Sequence, residues 1–168
     1  EKIVEFKDAN DAEKAVREIN TGIYAFNNQS LFEGLKHLNN NNAQNEYYLT
    51  DLVEILKKLG KKVVAIPCDD WQEVQGINGN VELAHAAKYM QERINTEWMK
   101  KGVTIYDPNT TYIGPNVTFG TDVIIHPNTY LYGDVTVEDY AEILPGTWLE
   151  DTNVSKAETV GPFVRRKG

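Results

Sequence analysis

From Ile113 onward a hydrophobic residue returns at every sixth position: Ile113, Phe119, Ile125, Leu131, Val137, Ile143 and Leu149. Two residues before each next member of that row stands Val117, Val123, Thr129, Val135, Ala141 or Thr147, small or β-branched every time. A helix repeats at 3.6 residues and a strand at 2, so neither generates this row. A solenoid does, each hexapeptide making one short strand and a turn. The large residue then points into a prism and the smaller one packs beside it. Polar residues such as those of Gly114-Pro115-Asn116 make the corners. The seven unbroken hits identify residues 113–149 as a hexapeptide-repeat segment.

The rest of the chain is bounded more loosely. Its 168 residues suit one domain or two small ones. Hydrophobic content of 41% and charged content of 25% are those of an ordinary globular chain. No apolar run reaches the length of a membrane span, and the opening Glu-Lys-Ile-Val-Glu has no signal-peptide form. Cys68 is the only cysteine, which excludes a disulfide framework, reads as a buried small hydrophobe and fits a reducing cytoplasm. The net charge of −8 argues against a nucleic-acid surface. Residues 1–102 carry 16 acidic and 13 basic groups, and residues 103–168 carry 9 and 4. The basic Arg165-Arg166-Lys167 reads as a solvated tail.

Upstream of the repeats, strand and helix patterns alternate, which indicates an α/β layer. Residues 2–7, 19–26 and 62–66 have strand character. Asn10 with Glu13 is an N-cap and N3 pair for a short helix through Arg17. Leu31, Leu35 and Leu38 share a helix face that the polar residues 39–42 end. From Thr50, a plausible cap, Leu52, Ile55, Leu56 and Leu59 make the next helix, with Gly60 just past its end. Residues 81–101 form the longest helix, with Leu83, Ala87, Met90, Ile94 and Trp98 on one stripe and Gly102 as its stop. At 1.5 Å per residue it spans about 30 Å, enough to link two bodies.

Taken singly, the polar positions are weak signals. Glu5 on a strand faces solvent in the plainest reading, and Asn20-Thr21-Gly22 is a bend. Residues 46–51 make a helix N-terminus, and Gly76-Ile77-Asn78 a turn before one. His37, His85 and His126 have no ligand spacing.

Their order says more. Ile-Val-Glu (3–5), Glu-Ile-Asn-Thr-Gly (18–22), Asn-Asn-Ala-Gln (41–44), Glu-Tyr-Tyr-Leu-Thr-Asp (46–51) and Glu-Val-Gln-Gly-Ile-Asn (73–78) follow in one line. A long helix, Gly-Val-Thr-Ile-Tyr-Asp-Pro (102–108) and the hexapeptides come next. This series resembles the family of bifunctional bacterial enzymes that join N-acetylglucosamine-1-phosphate uridyltransferase to glucosamine-1-phosphate acetyltransferase. The resemblance covers essentially the whole chain. The fold it implies is α/β: the C-terminal part of a Rossmann-like sugar nucleotidyltransferase domain (1–80), a linker helix (81–102) and the first coils of a left-handed parallel β-helix (103–168). On this expectation the chain begins inside the uridyltransferase domain and stops early in the prism. The row lapses after Leu149, where Ser155 replaces an aliphatic residue, so the prism is expected to be a stub of little more than two coils.

By the same resemblance, Glu5 and Asn20 hold the sugar hydroxyls and N-acetyl group, and Tyr48 and Thr50 lie near the sugar and its phosphate. A carboxylate and an amide read such hydrogens with fixed geometry. Asn78 matches an oxygen ligand of Mg²⁺, a hard cation. The implied substrates are UTP and N-acetylglucosamine 1-phosphate, with acetyl-CoA in the full-length protein, and the implied assembly is a homotrimer. No residue is assigned a catalytic role. Asn45 departs from the family, which has Gly before Glu46. Two other readings remain: another sugar-1-phosphate nucleotidyltransferase with a hexapeptide tail, and a non-catalytic trimerising module.

Overall fold

The computed structural model describes residues 2–168, and the chain divides into two compact units, Glu1–Gly76 and Ile77–Gly168. The first unit opens with helix α1 (Asp11–Lys14), where Asn10 and Glu13 form a complete capping box. It ends after one turn rather than at Arg17, because Val16 and Ile19 stay 61% and 84% exposed and give it no buried face. Helix α2 (Asn28–Leu35) is capped by the Asn27 side chain and ends before Leu38. Helix α3 (Leu52–Lys58) packs against it at Gly34, where a Cβ would stand only 3.0 Å from Leu52 Cδ2. Leu52 and Leu56 are buried at that crossing. Past α3 the Lys61 N–H bonds the Leu56 carbonyl and the Gly60 N–H bonds the Lys57 carbonyl, with Gly60 at φ 71°. That is a Schellman stop.

The strands expected at 2–7, 19–26 and 62–66 are not formed among the described residues. A strand needs a neighbour to take its N–H and C=O groups, and no ladder bond reaches these segments. Their apolar side chains stay out: Phe6, Ile23, Val64 and Ile66 are all largely exposed, and Cys68, expected to be buried, is exposed with them.

The second unit is helix α4 (Asn80–Lys100) docked on a parallel β-helix. Its packed stripe is the buried Asn95 with the half-buried Gln91, Ile94 and Trp98, whereas Leu83, Ala87 and Met90, also expected on the stripe, are exposed. A second Schellman stop, at Gly102 (φ 99°), bonds the Val103 N–H to the Trp98 carbonyl and turns the chain into the prism. Gln91 Nε2 donates to the carbonyls of Pro108, Asn109 and Thr111 at 2.9–3.1 Å, and Asn95 Nδ2 to those of Pro108 and Thr111 at 2.9 Å. These amides satisfy backbone groups at the prism's first corner, which holds its two extra residues through Asp107.

The prism has three parallel sheets. One side stacks β1 (Thr104–Ile105), β4 (Ile124–Ile125), β7 (Glu142–Ile143) and β10 (Thr159–Val160). The second stacks β2 (Thr111–Ile113), β5 (Thr129–Tyr132), β8 (Trp148–Glu150) and β11 (Arg165–Lys167), and the third stacks β3 (Thr118–Phe119), β6 (Thr136–Val137) and β9 (Asn153–Val154). The six-residue row points inward, with Ile125, Leu131, Val137, Ile143 and Leu149 at 0% exposure. Every member of the smaller row is buried as well. The Thr129 and Thr147 hydroxyls, which have no water to bond, donate to the His126 and Leu144 carbonyls at 2.8 and 2.7 Å.

The prism is longer than the two-coil stub expected from the row. Thr104 pairs with Ile124, Thr111 with Thr129 and Thr136 with Asn153, so successive coils take 20, 18 and 17 residues. The short coil drops one residue at the corner containing Asp151 (φ 49°), which moves the inward position from Ser155 to Val154. Val160 follows six residues later, also buried, and the chain completes three coils and two sides of a fourth. The basic tail is ordered structure: Arg166 bonds Glu158 at 2.7 Å, Lys167 bonds Glu150 at 2.7 Å and Arg165 lies over Trp148. Outward from the second side, Tyr112, Tyr130 and Trp148 stack at 5.0 and 5.3 Å. No described helix is long and apolar enough to cross a membrane.

Candidate functional site

Four polar residues converge in the first unit from two distant stretches. The segment ending in Glu5 turns at residues 5–8, where the Asp8 N–H bonds the Glu5 carbonyl at 3.0 Å, so Glu5 and Asp8 leave the backbone close together. Opposite them runs the loop 39–48, shaped by its own asparagines. Asn39 Oδ1 accepts from the Asn41 N–H, and Asn42 Oδ1 accepts from the N–H groups of Gln44 and Glu46. Asn45 sits at φ 55°, in the left-handed region that asparagine tolerates best after glycine. The departure from glycine at this position therefore keeps the turn.

The loop delivers Tyr48 and Thr50 to the carboxylates. Thr50 is buried in a 3₁₀ turn (Leu49–Asp51), and its hydroxyl donates to Glu5 Oε1 at 3.2 Å rather than capping α3. The Tyr48 hydroxyl donates to Asp8 Oδ2 at 3.2 Å and accepts from Gln44 Nε2 at 2.8 Å. Asp8 Oδ1 accepts from the Ala43 N–H at 2.8 Å, and Lys7 Nζ donates to Gln44 Oε1 at 2.7 Å. Loss of water around Tyr48 pushes its hydroxyl above the ordinary phenol range, and the Asp8 charge adds to this against the Gln44 bond. Asp51 is also raised, by desolvation first and then by Glu54, Asp8 and Glu5. The site is rich in acceptors, and such a site suits hydroxyl and amide hydrogens better than phosphate.

Three of the sequence-predicted residues, Glu5, Tyr48 and Thr50, thus come together across separations of 40 and more positions. Asn20 does not join them. It is exposed and its Oδ1 closes a local bend to the Gly22 N–H at 3.3 Å. Asn78 lies in the second unit, exposed, two residues before α4. Among the described residues no group of three His, Cys, Asp or Glu side chains is placed to hold a metal. One exposed neutral amide oxygen cannot keep Mg²⁺ against water, so the residues present do not by themselves fit that ion. Asp8 and Gln44 were missed by sequence reasoning. Their signal was position alone: Asp8 stands three residues after Glu5, and Gln44 closes the 41–44 motif.

Together, the prism of hexapeptide repeats and the helix docked on its first corner define a hexapeptide-repeat protein of the left-handed β-helix class, with a separate unit that carries the polar cluster ahead of the repeats. No protein-family model matches the chain. It is 49% identical over 154 residues to the bifunctional protein GlmU of Latilactobacillus sakei, covering 92% of this chain and 33% of that protein. The identity is 47% over 159 residues to the bifunctional protein GlmU of Streptococcus agalactiae and 44% over 160 residues to that of Halalkalibacterium halodurans, each covering 95% of this chain and 35% of the relative. Along the matched residues the chain is similar to one stretch of the bifunctional GlmU proteins. It spans about a third of the length of these curated relatives.

Proposed function

We propose that this chain is part of an enzyme that makes UDP-N-acetylglucosamine. In that reaction a phosphate oxygen of N-acetylglucosamine 1-phosphate attacks the α-phosphorus of UTP, and the bond to pyrophosphate breaks. The companion step moves the acetyl group of acetyl-CoA to the amine of glucosamine 1-phosphate and releases the CoA thiol. The observation that supports the reading is the pairing of Thr50 with Glu5 and of Tyr48 with Asp8 in one acceptor-rich cluster, which suits the sugar hydroxyls and the N-acetyl N–H. Asn20 is proposed as a fourth sugar contact, and Asn78 as one oxygen donor to Mg²⁺ beside donors that this chain does not supply. Substrates of this kind are cytoplasmic, and that compartment is proposed with them.

A homotrimer is proposed on the outward aromatic ladder of the prism. Tyr112 and Tyr132 are each 36% exposed there, and Trp148 Nε1 is buried without an acceptor. Sedimentation of the whole protein as a concentration-independent monomer refutes the trimer.

Calorimetric titration of the chain with N-acetylglucosamine 1-phosphate tests the pocket. Binding that Glu5→Ala weakens supports it, and binding indifferent to Glu5→Ala refutes it. The chain alone is expected to release no pyrophosphate, because in-line transfer needs a triphosphate cradle and a two-sided metal site in the same place. A protein that binds no sugar phosphate yet trimerises fits the assembly-module reading instead.

A further inference from the structure

We propose that Asp8 is a positioning residue that fixes the direction of the Tyr48 hydroxyl, so that Tyr48 offers the sugar an acceptor oxygen rather than a proton. The inference rests on the sugar-pocket reading above. Lys7 carries only donors, so its 2.7 Å bond to Gln44 fixes which end of that amide is oxygen. The other end, Nε2, is then a donor, and it points at the Tyr48 oxygen at 2.8 Å. A phenol has one proton, and with Gln44 donating, that proton goes to Asp8 Oδ2 at 3.2 Å. Every donor in the chain Lys7, Gln44, Tyr48, Asp8 therefore runs one way. Asp8 closes the arrangement by taking the Ala43 N–H on its second oxygen at 2.8 Å, which holds the backbone next to Gln44.

The consequence is chemical. The Tyr48 oxygen has spent its proton and one lone pair, and one lone pair remains. A ligand can meet it only with a donor, a sugar hydroxyl or the N-acetyl N–H. A phosphate at neutral pH brings only acceptors and is repelled there. Tyr48 thus reads the sugar half of a sugar phosphate, and the charge on Asp8 keeps it in that state.

Two measurements on the full chain test this. In the first, tyrosine is labelled with ¹³C at the ζ carbon, and the Tyr48 signal is assigned by its loss in Tyr48→Phe and followed with pH. Asp8→Asn keeps the shape and removes the charge, so Tyr48 is expected to ionise at lower pH than in the wild type. An unmoved Tyr48 titration overturns the proposal. In the second, calorimetry compares N-acetylglucosamine with N-acetylglucosamine 1-phosphate. Tyr48→Phe and Asp8→Ala are each expected to weaken both ligands about tenfold, and the double variant no further. Losses that multiply to about a hundredfold, or a loss confined to the phosphorylated ligand, overturn it. Glu5→Ala separates the two levels. If it weakens binding while Asp8 and Tyr48 act independently, the pocket stands and this inference fails. If neither ligand binds the wild type, the pocket reading fails and the ligand part of this inference fails with it, while the titration still decides whether Asp8 directs Tyr48.

Discussion

Leu131→Ala is the sharpest probe of the prism. Leu131 is fully buried and sits in one inward column between Ile113 and Leu149, paired with both through the parallel ladders. Removing three carbons forfeits about 2.4 kcal/mol of transfer free energy at about 0.8 kcal/mol each. The neighbours belong to rigid coils above and below, so the cavity collapses only partly, and the total is expected to be about 3–4 kcal/mol. Asp134→Ala is the control. It lies on the corner two residues beyond β5, and its carboxylate makes one exposed bond to Asn116 Nδ2 at 3.0 Å, expected to contribute under about 0.5 kcal/mol. Because the chain has two units, unfolding is followed by tryptophan fluorescence in a Trp71→Phe background, where Trp98 and Trp148 report on the second unit alone. Equal urea midpoints for Leu131→Ala and Asp134→Ala, at equal slopes, refute the inward register.

Three further outcomes are expected. Gly133 has φ 69°, and a Cβ there would collide with Asp151 Oδ1, which accepts from the Asp134 N–H; Gly133→Ala should cost about 1–3 kcal/mol in thermal melts, and adding Asp151→Gly should recover part of it. Asn95→Leu should cost about 1–2 kcal/mol and Asn95→Asp clearly more, since a buried carboxylate would face the Pro108 and Thr111 carbonyls where an NH₂ now donates; a milder loss for Asp than for Leu at pH 7 refutes the clamp. Arg166 and the Ser155 N–H hold Glu158 below its usual value of 4.5, so its contribution is full above that pH and is lost as pH falls through the lower folded value; Glu158→Gln should flatten the acid limb of the second unit's stability curve, and an unchanged limb counts against the pair.

What the sequence revealed of the fold follows from how local each cause is. A hexapeptide coil repeats the same contact at every step, so the row from Ile113 to Leu149 announces itself without any knowledge of distant pairing. The coil containing Val154 was invisible because a one-residue deletion shifts every later inward position while leaving each hexamer locally plausible. The capping box at Asn10 and the stops at Gly60 and Gly102 were legible for the same reason as the row: each is settled within five residues of chain. The strands at 2–7, 19–26 and 62–66 failed because strand formation is not local. Alternation and β-branching make a segment able to pair, and only a neighbouring ladder makes it a strand.

The same distinction separates the residues of the candidate site. Glu5, Tyr48 and Thr50 could be picked out by motif, yet nothing in their spacing says that Thr50 bonds Glu5 or that Tyr48 bonds Asp8, since those bonds join segments 45 and 40 residues apart. Thr50 shows the cost of a local reading. Before an amphipathic helix a threonine looks like a cap, but here its hydroxyl is turned toward a carboxylate, and α3 begins without a side-chain cap. A cap left unmade sacrifices about 1 kcal/mol of helix stability. Such a concession is what a residue shows when its side chain is committed elsewhere, and here the commitment is to Glu5. Asn20 makes no such concession. Its side chain does only what a bend asks of it, accepting from the Gly22 N–H two residues on.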